Sequence, residues 1–172
     1  MIRKAGSADI AAIAQIYEDI HTQEEAGVLT IGWQRGVYPT QATAEAALAR
    51  NDLYVAVEDG AVQAAAIINH VQVDVYANVP WMYDAPDDQV LVLHTLVVSP
   101  NAMSSGLGKQ FVTYYEEAAR SLGCTVLRMD TNARNARARS FYQKHGYREA
   151  GIVPCVFNGL SGVQLVCLEK QV

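Results

Sequence analysis

Apolar residues recur along the chain with two periods, and these periods predict the helices and strands. Near the start they return every three or four positions, the spacing of one helix face. The members of this set are Ile10, Ile13, Ile16, Tyr17 and Ile20. Ser7-Ala8-Asp9 precedes the set with residues that favour helix caps, so a capped helix is predicted to end near Gly27. A second, Ala-rich helix is predicted from Thr40 to about Arg50.

Runs of apolar residues predict the strands. Residues 52–58 and 61–69 flank Asp59-Gly60, a dipeptide that accepts the positive φ angles of a tight turn, so they predict a hairpin. Residues 89–98 are apolar almost without interruption, which is typical of a strand buried on both faces. Ser99-Pro100 ends this strand.

The second half of the chain alternates helices and strands. Small residues at 104–108 predict a turn, followed by a helix to about residue 122 and a strand at 125–131. A helix from 135 to 145 and strands around 147–152 and 162–169 complete the chain. This order predicts an α/β domain with a mixed, partly parallel sheet. The length of 172 residues fits one domain spanning residues 1–172.

Two segments lack a clear period. Residues 27–39 form a loop rich in aromatic residues, and residues 71–88 combine tyrosine, tryptophan and proline with aspartates. A stretch of this length inside a compact domain indicates a functional or mobile segment.

Composition and charge exclude several classes of protein. The formal net charge of −5 argues against bulk binding to nucleic acid or anionic membranes. The charge is uneven, at +5 over residues 101–148 and −10 elsewhere. Three cysteines without a CxxC pair or clustered histidines predict buried thiols, with no disulfide framework and no metal site. The chain has no apolar leader and no run that approaches a membrane span, so a cytoplasmic protein is expected.

The turn at 103–109 is the first candidate for chemistry. Small residues before a helix expose backbone N–H groups at the positive end of the helix dipole, where an anion binds. The P-loop motif does not fit, because Met103 and Gln110 stand where it needs glycine and serine or threonine. The dinucleotide fingerprint does not fit either, because Phe111 replaces its third glycine. A purely structural turn is the alternative to a phosphate cradle.

Two motifs together resemble the GNAT superfamily of N-acyltransferases. The first is Met103-x-x-Gly106-x-Gly108, which is similar to the superfamily's Gln/Arg-x-x-Gly-x-Gly/Ala and departs from it at Met103. The second is Asn135-x-x-Ala138-x-x-Phe141-Tyr142-x-x-x-Gly146-Tyr147. The resemblance extends from about residue 2 to residue 170. It implies an α/β fold with a mixed central sheet of about seven strands flanked by about four helices.

The resemblance also implies acetyl-CoA as co-substrate and assigns the residues that hold it. Main-chain N–H groups of the turn would bind the pyrophosphate, and the backbone after His94 would pair with the pantetheine arm like an added strand. The strands at 89–98 and 125–131 would splay apart to admit that arm. The residues concerned are Leu96, Val97, Val98, Ser104, Ser105, Gly106, Leu107, Gly108, Lys109 and Asn135.

By the same resemblance, Tyr142 is the general acid that protonates the leaving thiolate, and His94 is a candidate base. A backbone N–H near Val97 would hold the oxyanion. The alternatives are a core aromatic pair at Phe141-Tyr142 and a core histidine at position 94. By the usual α/β geometry, Asp130 and Thr131 at the end of the next strand are expected to lie toward the same cleft. Asp130 could equally pair with a helix residue or cap a helix, and it is assigned no catalytic role.

The remaining polar and aromatic residues suggest contacts to the cofactor and the acceptor. Arg134, Arg137, Arg139 or Lys144 would meet the 3′-phosphate, unless they only solvate helix faces. An aromatic, acidic rim suited to a primary ammonium would be formed by Trp33, Tyr38, Tyr76, Trp81 and Tyr83 with Asp74, Asp84, Asp87 and Asp88. An aromatic core plug under the loops is the alternative.

These residues predict an acyltransferase that moves an acetyl group from acetyl-CoA to a primary amine of a small molecule or peptide. Transfer would be direct, in a ternary complex. The first alternative is a non-catalytic acyl-CoA sensor with the same fold. The second is a related enzyme that uses another acyl donor, or an amine on a protein or tRNA. A homodimer through sheet edges or the apolar strand at 163–168 is an open option.

Overall fold

The computed structural model describes residues 1–103 and 105–172, so the predicted cofactor residue Ser104 lies outside the described residues. Four helices are present in the described part: α1 (Ile10–Glu25), α2 (Gln41–Ala49), α3 (Leu107–Leu122) and α4 (Ala136–Lys144). The strands are β1 (Ile2–Lys4), β2 (Leu53–Glu58), β3 (Ala61–Asn69), β4 (Val90–Val98), β5 (Val126–Asn132), β6 (Arg148–Phe157) and β7 (Leu160–Gln171).

The seven strands form one mixed sheet in the order β1-β2-β3-β4-β5-β7-β6. The pairs β1–β2, β2–β3, β5–β7 and β6–β7 are antiparallel. In the β2–β3 hairpin, Asp59 and Gly60 adopt the expected positive φ angles of 50° and 78°. The predicted fold class is confirmed.

The structure differs from the sequence predictions at both ends of the chain. The first strand, only three residues long, was not predicted. The last two strands extend further than predicted and meet at Asn158-Gly159, whose φ angles are 47° and 84°. This dipeptide is a strong hairpin signal that the sequence analysis missed.

The predicted side-chain cap of α1 is wrong. Residues Ser7–Asp9 form a short 3-10 turn, and no side-chain cap hydrogen bond forms at Asp9. The Asp9 carboxylate instead accepts hydrogen bonds from Arg3 Nη1 at 2.7 Å and Gly6 N at 2.8 Å. The Arg3 guanidinium therefore holds the pKa of Asp9 below its usual range.

The chain divides into two compact units, and each has its own buried residues. The first unit comprises residues 1–29, 33–68 and 93–115. Its buried set includes the predicted apolar face of α1, because Ile10, Ile13, Ile16, Tyr17 and Ile20 are all buried. The set also includes apolar residues of β2 and β3, among them Val55, Ala64, Ala65 and Ala66.

The second unit comprises residues 30–32, 69–92 and 116–172. Its core cluster consists of Tyr76, Val79, Val90, Val92, Val126, Val153, Leu165 and Cys167. Trp81 and Tyr83 pack against this cluster. The irregular segment 71–88 therefore contributes apolar side chains to a core, and it contains the 3-10 turn Asp74–Asn78. A second such turn, Asp87–Gln89, leads into β4.

None of the helices in the described residues is both long and apolar enough to cross a membrane.

Replacing Tyr17 by phenylalanine is expected to raise the free energy of unfolding by about 1 kcal/mol. Tyr17 is 1% exposed, and its hydroxyl group has no hydrogen-bond partner among the described residues. The substitution removes a desolvated polar atom and keeps the packed ring. Urea denaturation measures the change.

Tyr147→Phe is the matched control, since Tyr147 is also buried but donates its hydroxyl proton to Glu116 at 3.2 Å. We expect this variant to lose stability. If Tyr17→Phe also lowers the free energy of unfolding, the Tyr17 hydroxyl has a stabilising partner, and its description as an unpaired buried group is wrong.

Candidate active site

The turn before α3 leads directly into the first turn of a long helix. Helix α3 begins at Leu107, and the Gly106 carbonyl accepts the first helical hydrogen bond, from Gln110 N at 3.1 Å. Gly106 has a φ of 84°, and a Cβ built there would meet no described atom within 4 Å. The N–H groups of residues 107–109 belong to the first turn of the helix, where backbone donors have no intrahelical acceptor. The turn can therefore hold an anion.

Side chains around this turn fix its backbone. Leu107 is buried and anchors the helix start, while Ser105 and Lys109 are exposed. Ser105 donates to the Ala102 carbonyl through its N–H at 3.0 Å and through its hydroxyl at 2.7 Å. Ser105 and Lys109 are thus exposed, while the hydrogen bonds to Ala102 and the buried Leu107 side chain hold the backbone of the turn.

Strand β4 carries a strained residue next to His94. Thr95 has a φ of 49°, in the left-handed region that β-branched residues avoid. The other non-glycine residues with positive φ in the described part are Asn or Asp, which tolerate this region. Such strain costs on the order of 1–3 kcal/mol and is concentrated at functional sites. Sequence reasoning missed Thr95, because a threonine in an apolar run looks like an ordinary strand residue.

The predicted pantetheine-binding residues follow Thr95 on the same strand. Leu96 and Val98 are half-buried, and Val97 is buried between them. His94 is half-buried as well, and it interacts with another residue.

The loop at 33–38 approaches this part of β4. The hydroxyl groups of Tyr38 and Thr95 form a hydrogen bond, and Trp33 contacts Tyr38 edge-on at a centroid distance of 5.8 Å. Arg35 ties the loop to α1, because its guanidinium donates to both carboxylate oxygens of Glu25, at 2.9 Å and 3.1 Å. Two predicted acceptor-binding residues, Trp33 and Tyr38, are thereby held beside the strained position.

In the second unit, Tyr142 is buried on α4. Asn135 caps this helix by accepting a hydrogen bond from Ala138 N at 3.0 Å. The Tyr142 ring packs against Tyr147 at a centroid distance of 5.9 Å. Burial, and then the negative charge of Asp130, raise the pKa of Tyr142 above its ordinary value. The phenol is therefore protonated at neutral pH and is a weaker acid than a solvent-exposed tyrosine.

Asp130 lies near the end of β5 and is the polar residue that sequence reasoning set aside. Its carboxylate accepts a hydrogen bond of 2.8 Å from the Tyr76 hydroxyl. Desolvation raises the pKa of Asp130, and this hydrogen bond lowers it by a smaller amount. The sequence signal for Asp130 was its position at the end of a strand. Its hydrogen-bond partner, the buried Tyr76, is 54 residues away in sequence and could not be inferred from a local pattern.

A buried carboxylate anchors the segment 71–88. Glu169 is fully buried and accepts hydrogen bonds from Met82 N at 2.9 Å, Tyr83 N at 3.2 Å and Arg148 Nη2 at 2.6 Å. Backbone donors and a guanidinium thus satisfy a charge that would otherwise be costly in a core. The anchor holds residues 82 and 83 against β7.

Arg128 fixes the same segment from β5. It donates to the Tyr83 carbonyl at 2.9 Å and to the side chain of Gln72. Its guanidinium lies over the Trp81 ring at 4.2 Å from the centroid. The Trp81 indole N–H donates to the Tyr76 carbonyl at 2.9 Å. Trp81 and Tyr83 therefore have structural contacts in this unit, and their role in acceptor binding stays a prediction.

The basic residues of α4 and the segment before it differ in their surroundings. Arg139 forms a two-pronged ion pair with Glu149, with N–O distances of 2.8 Å and 2.9 Å. Arg134, Arg137 and Lys144 are exposed. These three remain the more accessible candidates for a 3′-phosphate. Among the described residues, no group of three or more His, Cys, Asp or Glu side chains is arranged to hold a metal ion.

Comparison with known proteins identifies relatives of this chain. The model of the acetyltransferase (GNAT) family matches residues 11–147. A Bacillus subtilis (strain 168) protein named as the uncharacterized N-acetyltransferase YhfO is 31% identical over 61 residues. That match spans 36% of this chain and 41% of the relative.

Solved structures share the fold at low sequence identity. A GNAT-family acetyltransferase from Streptococcus agalactiae 2603 has a TM-score of 0.82 and 23% identity, over 100% of this chain and 95% of that one. The ribosomal-protein-alanine N-acetyltransferase of Brucella melitensis has a TM-score of 0.72 and 21% identity, over 100% and 99%. For yncA of Salmonella typhimurium, solved with its cofactor acetyl-CoA, the values are 0.66 and 21%, over 99% and 92%.

Replacing Glu169 by glutamine is expected to lower the free energy of unfolding by about 3 kcal/mol. The amide keeps the shape but removes the charge that Arg148 pairs with, and it has one acceptor oxygen for the two backbone donors. Urea denaturation measures the loss, and hydrogen exchange at Met82 and Tyr83 locates it. Glu117→Gln, at an exposed position of α3, is the control and should leave stability unchanged. Equal stability of the two variants would show that the buried carboxylate does not anchor the segment.

Proposed function

The chain belongs to the GNAT family of acetyltransferases, and from that premise we propose that it transfers an acetyl group from acetyl-CoA to a primary amine. The observation that carries the proposal is a buried tyrosine on α4, Tyr142, at the position that the second motif gives to the family's general acid. The acceptor in this proposal is a small molecule or peptide, and transfer is direct within a ternary complex.

The turn before α3 supports binding of the co-substrate. It combines the first backbone N–H groups of a helix with a left-handed glycine and open space at Gly106. These features fit a pyrophosphate held by main-chain N–H groups. Leu96, Val97 and Val98 would supply strand-like hydrogen bonds to the pantetheine arm. Asn135 already caps α4 with its side-chain oxygen, which leaves its amide N–H₂ for a ligand.

Acetyl-CoA supplies an activated thioester, and the protein must manage the protons of the reaction. Tyr142 gives its phenolic proton to the leaving sulfur. A backbone N–H near Val97 stabilises the oxyanion. A base receives the proton that the acceptor amine loses, and His94 is the candidate that the family resemblance provides. The hydroxyl pair of Tyr38 and Thr95 holds the backbone beside His94 in its strained form.

Replacing Gly106 by alanine is expected to lower the affinity for acetyl-CoA about tenfold or more, because a Cβ enters the open space of the cradle. Isothermal titration of acetyl-CoA into the protein measures this. Gly123→Ala is a matched control, since Gly123 also has a positive φ and open space around its Cβ but follows α3 at its other end. Both variants should lose about 1 kcal/mol of stability from backbone strain, and only Gly106→Ala should lose affinity.

Failure of the unmodified protein to bind acetyl-CoA at millimolar concentration would contradict the proposal. Binding without acetylation of any amine would favour a non-catalytic acyl-CoA sensor. A panel of amino acids, polyamines, aminoglycosides and peptides provides the acceptors.

Replacing Tyr142 by phenylalanine is expected to lower kcat by about a hundredfold, because the leaving thiolate loses its proton donor. The affinity for acetyl-CoA should change little, since the ring and its packing remain. Steady-state kinetics and titration calorimetry together make the comparison. Tyr114→Phe, on α3, serves as the control. A variant at position 142 with the turnover of the unmodified protein would remove the phenol from the mechanism.

A further inference from the structure

We propose that Asp130 binds the ammonium group of the acceptor and takes its first proton, which makes Asp130 a catalytic residue for acceptors that are primary amines. The inference rests on the proposed acetyl transfer and deepens it. It names the anionic partner of the substrate, and it assigns the first proton to Asp130 in place of His94. Three features of the second unit support it.

The first feature is the position of the carboxylate. Asp130 is on β5, directly opposite Cys167 of the antiparallel strand β7. Part of its surface is exposed, although the residues packed around it remove most water from the carboxylate. The Tyr76 hydroxyl donates to one oxygen, Oδ2, at 2.8 Å, which orients the group and leaves lone pairs on both oxygens. The carboxylate is therefore an oriented acceptor that can take further hydrogen bonds.

The second feature is a missing positive charge. Four titratable groups interact with Asp130 by a hydrogen bond or by charge. They are Tyr76 of the segment before β4, Tyr142 of α4, Cys155 of β6 and Cys167 of β7. Within the described residues, no Lys, Arg or His forms an ion pair with Asp130. Arg128, two residues earlier, is bound to Tyr83 and Gln72 instead.

A desolvated carboxylate without a counter-charge is costly, and a cation that enters the site removes that cost. A primary ammonium supplies the positive charge and N–H donors for both carboxylate oxygens. A neutral alcohol supplies only one donor and no charge. The site therefore selects amines over alcohols at the binding step.

The third feature is the electrostatic coupling between Asp130 and Tyr142. The negative charge of Asp130 raises the pKa of the Tyr142 phenol. When Asp130 accepts a proton, that charge disappears and the pKa of the phenol falls. Tyr142 thus becomes a stronger acid at the moment when the neutral amine is ready to attack. Coupled groups of this kind favour proton uptake and proton donation in the correct order.

The protons and bonds balance over the cycle. The ammonium gives one proton to the Asp130 carboxylate, and the neutral nitrogen then uses its lone pair to form a C–N bond with the acetyl carbonyl carbon. The C–S bond breaks, and the sulfur takes the phenolic proton of Tyr142. The nitrogen loses its second proton, which restores the phenol. Asp130 releases its proton to solvent, so the products are the acetamide, coenzyme A and one proton.

Replacing Asp130 by asparagine tests the role in catalysis. The amine of the panel above that the unmodified protein acetylates fastest is the probe, with acetyl-CoA saturating. We expect Asp130→Asn to lower kcat/KM for the amine at least a hundredfold and to abolish the acidic limb of the pH profile of kcat/KM. Asp59→Asn, in the exposed turn between β2 and β3, is the matched control and should keep both the rate and the limb.

Tyr76→Phe separates a chemical role from a structural one. Loss of the hydroxyl removes a hydrogen bond that favours the ionised carboxylate, so the pKa of Asp130 should rise further. The acidic limb should then move to higher pH in this variant. A purely structural effect would lower the rate without moving the limb, and that result would overturn the assignment of the limb to Asp130.

Protein stability gives a readout without any substrate. In the folded state the pKa of Asp130 is raised, so the unfolded chain releases this proton first as pH rises, and folding loses stability until the folded group is also ionised. Asparagine carries no such penalty. We expect Asp130→Asn to melt at a higher temperature than the unmodified protein at pH 8, with a difference that shrinks towards pH 4.5. A lower melting temperature at pH 8 would overturn the proposal, because it would reveal a stabilising partner for the charge.

Comparison with His94→Asn completes the test. We expect His94→Asn to keep the acidic limb and to lose less activity than Asp130→Asn. The opposite result, with the limb lost in His94→Asn and kept in Asp130→Asn, overturns the inference while the proposed acetyl transfer stands. If acetyl-CoA binds and no primary amine is acetylated, the ammonium assignment fails. If acetyl-CoA does not bind, the proposed function itself fails, and the melting comparison still reports the state of Asp130.

Discussion

The buried carboxylate of Glu169 is the interaction on which the second unit depends. It accepts two backbone hydrogen bonds from Met82 and Tyr83 and an ion pair from Arg148. With residues 82 and 83 held in place, Trp81 packs against Tyr76, and the Tyr76 hydroxyl reaches Asp130. These contacts hold the segment 71–88 in one conformation, although its regular structure is limited to short 3-10 turns. A buried charge is costly unless it is fully hydrogen-bonded, and here it has three donors.

The first unit holds its own loop by a different device. Arg35 fastens the loop at 33–38 to Glu25 at the end of α1, at an exposed position where an ion pair contributes little stability. The position of the loop at 33–38 is set by the Arg35–Glu25 ion pair together with the hydrogen bond between Tyr38 and Thr95. The left-handed Thr95 stores strain beside His94. The left-handed conformation of this β-branched residue lowers the stability of the folded protein.

The elements of the fold were largely predictable because their signals are local. The period of α1, the Asp-Gly turn and the apolar run of β4 each lie within about ten residues, and all three appear where the sequence placed them. The misses have physical reasons. The extended β6–β7 hairpin depended on an Asn-Gly signal that was overlooked, and the first strand is too short to show a period. At the candidate site, Tyr142 and the turn before α3 were predicted from motifs, and their roles stay predictions. The strained backbone at Thr95 could not be predicted, because a threonine in an apolar run is an ordinary strand residue.

The sequence by itself determined the order of the elements after the first strand, the glycine turn that starts α3, and the family, because each depends on spacing between near neighbours. Only the tertiary structure decided which polar groups are buried together. Met82 and Glu169 are 87 residues apart, and Tyr76 and Asp130 are 54 residues apart. No local pattern encodes such pairs, since the energy of a buried carboxylate depends on donors and charges that other parts of the chain bring to it. For that reason Asp130, an ordinary aspartate in the sequence, becomes in the folded protein a desolvated carboxylate without a cationic partner among the described residues.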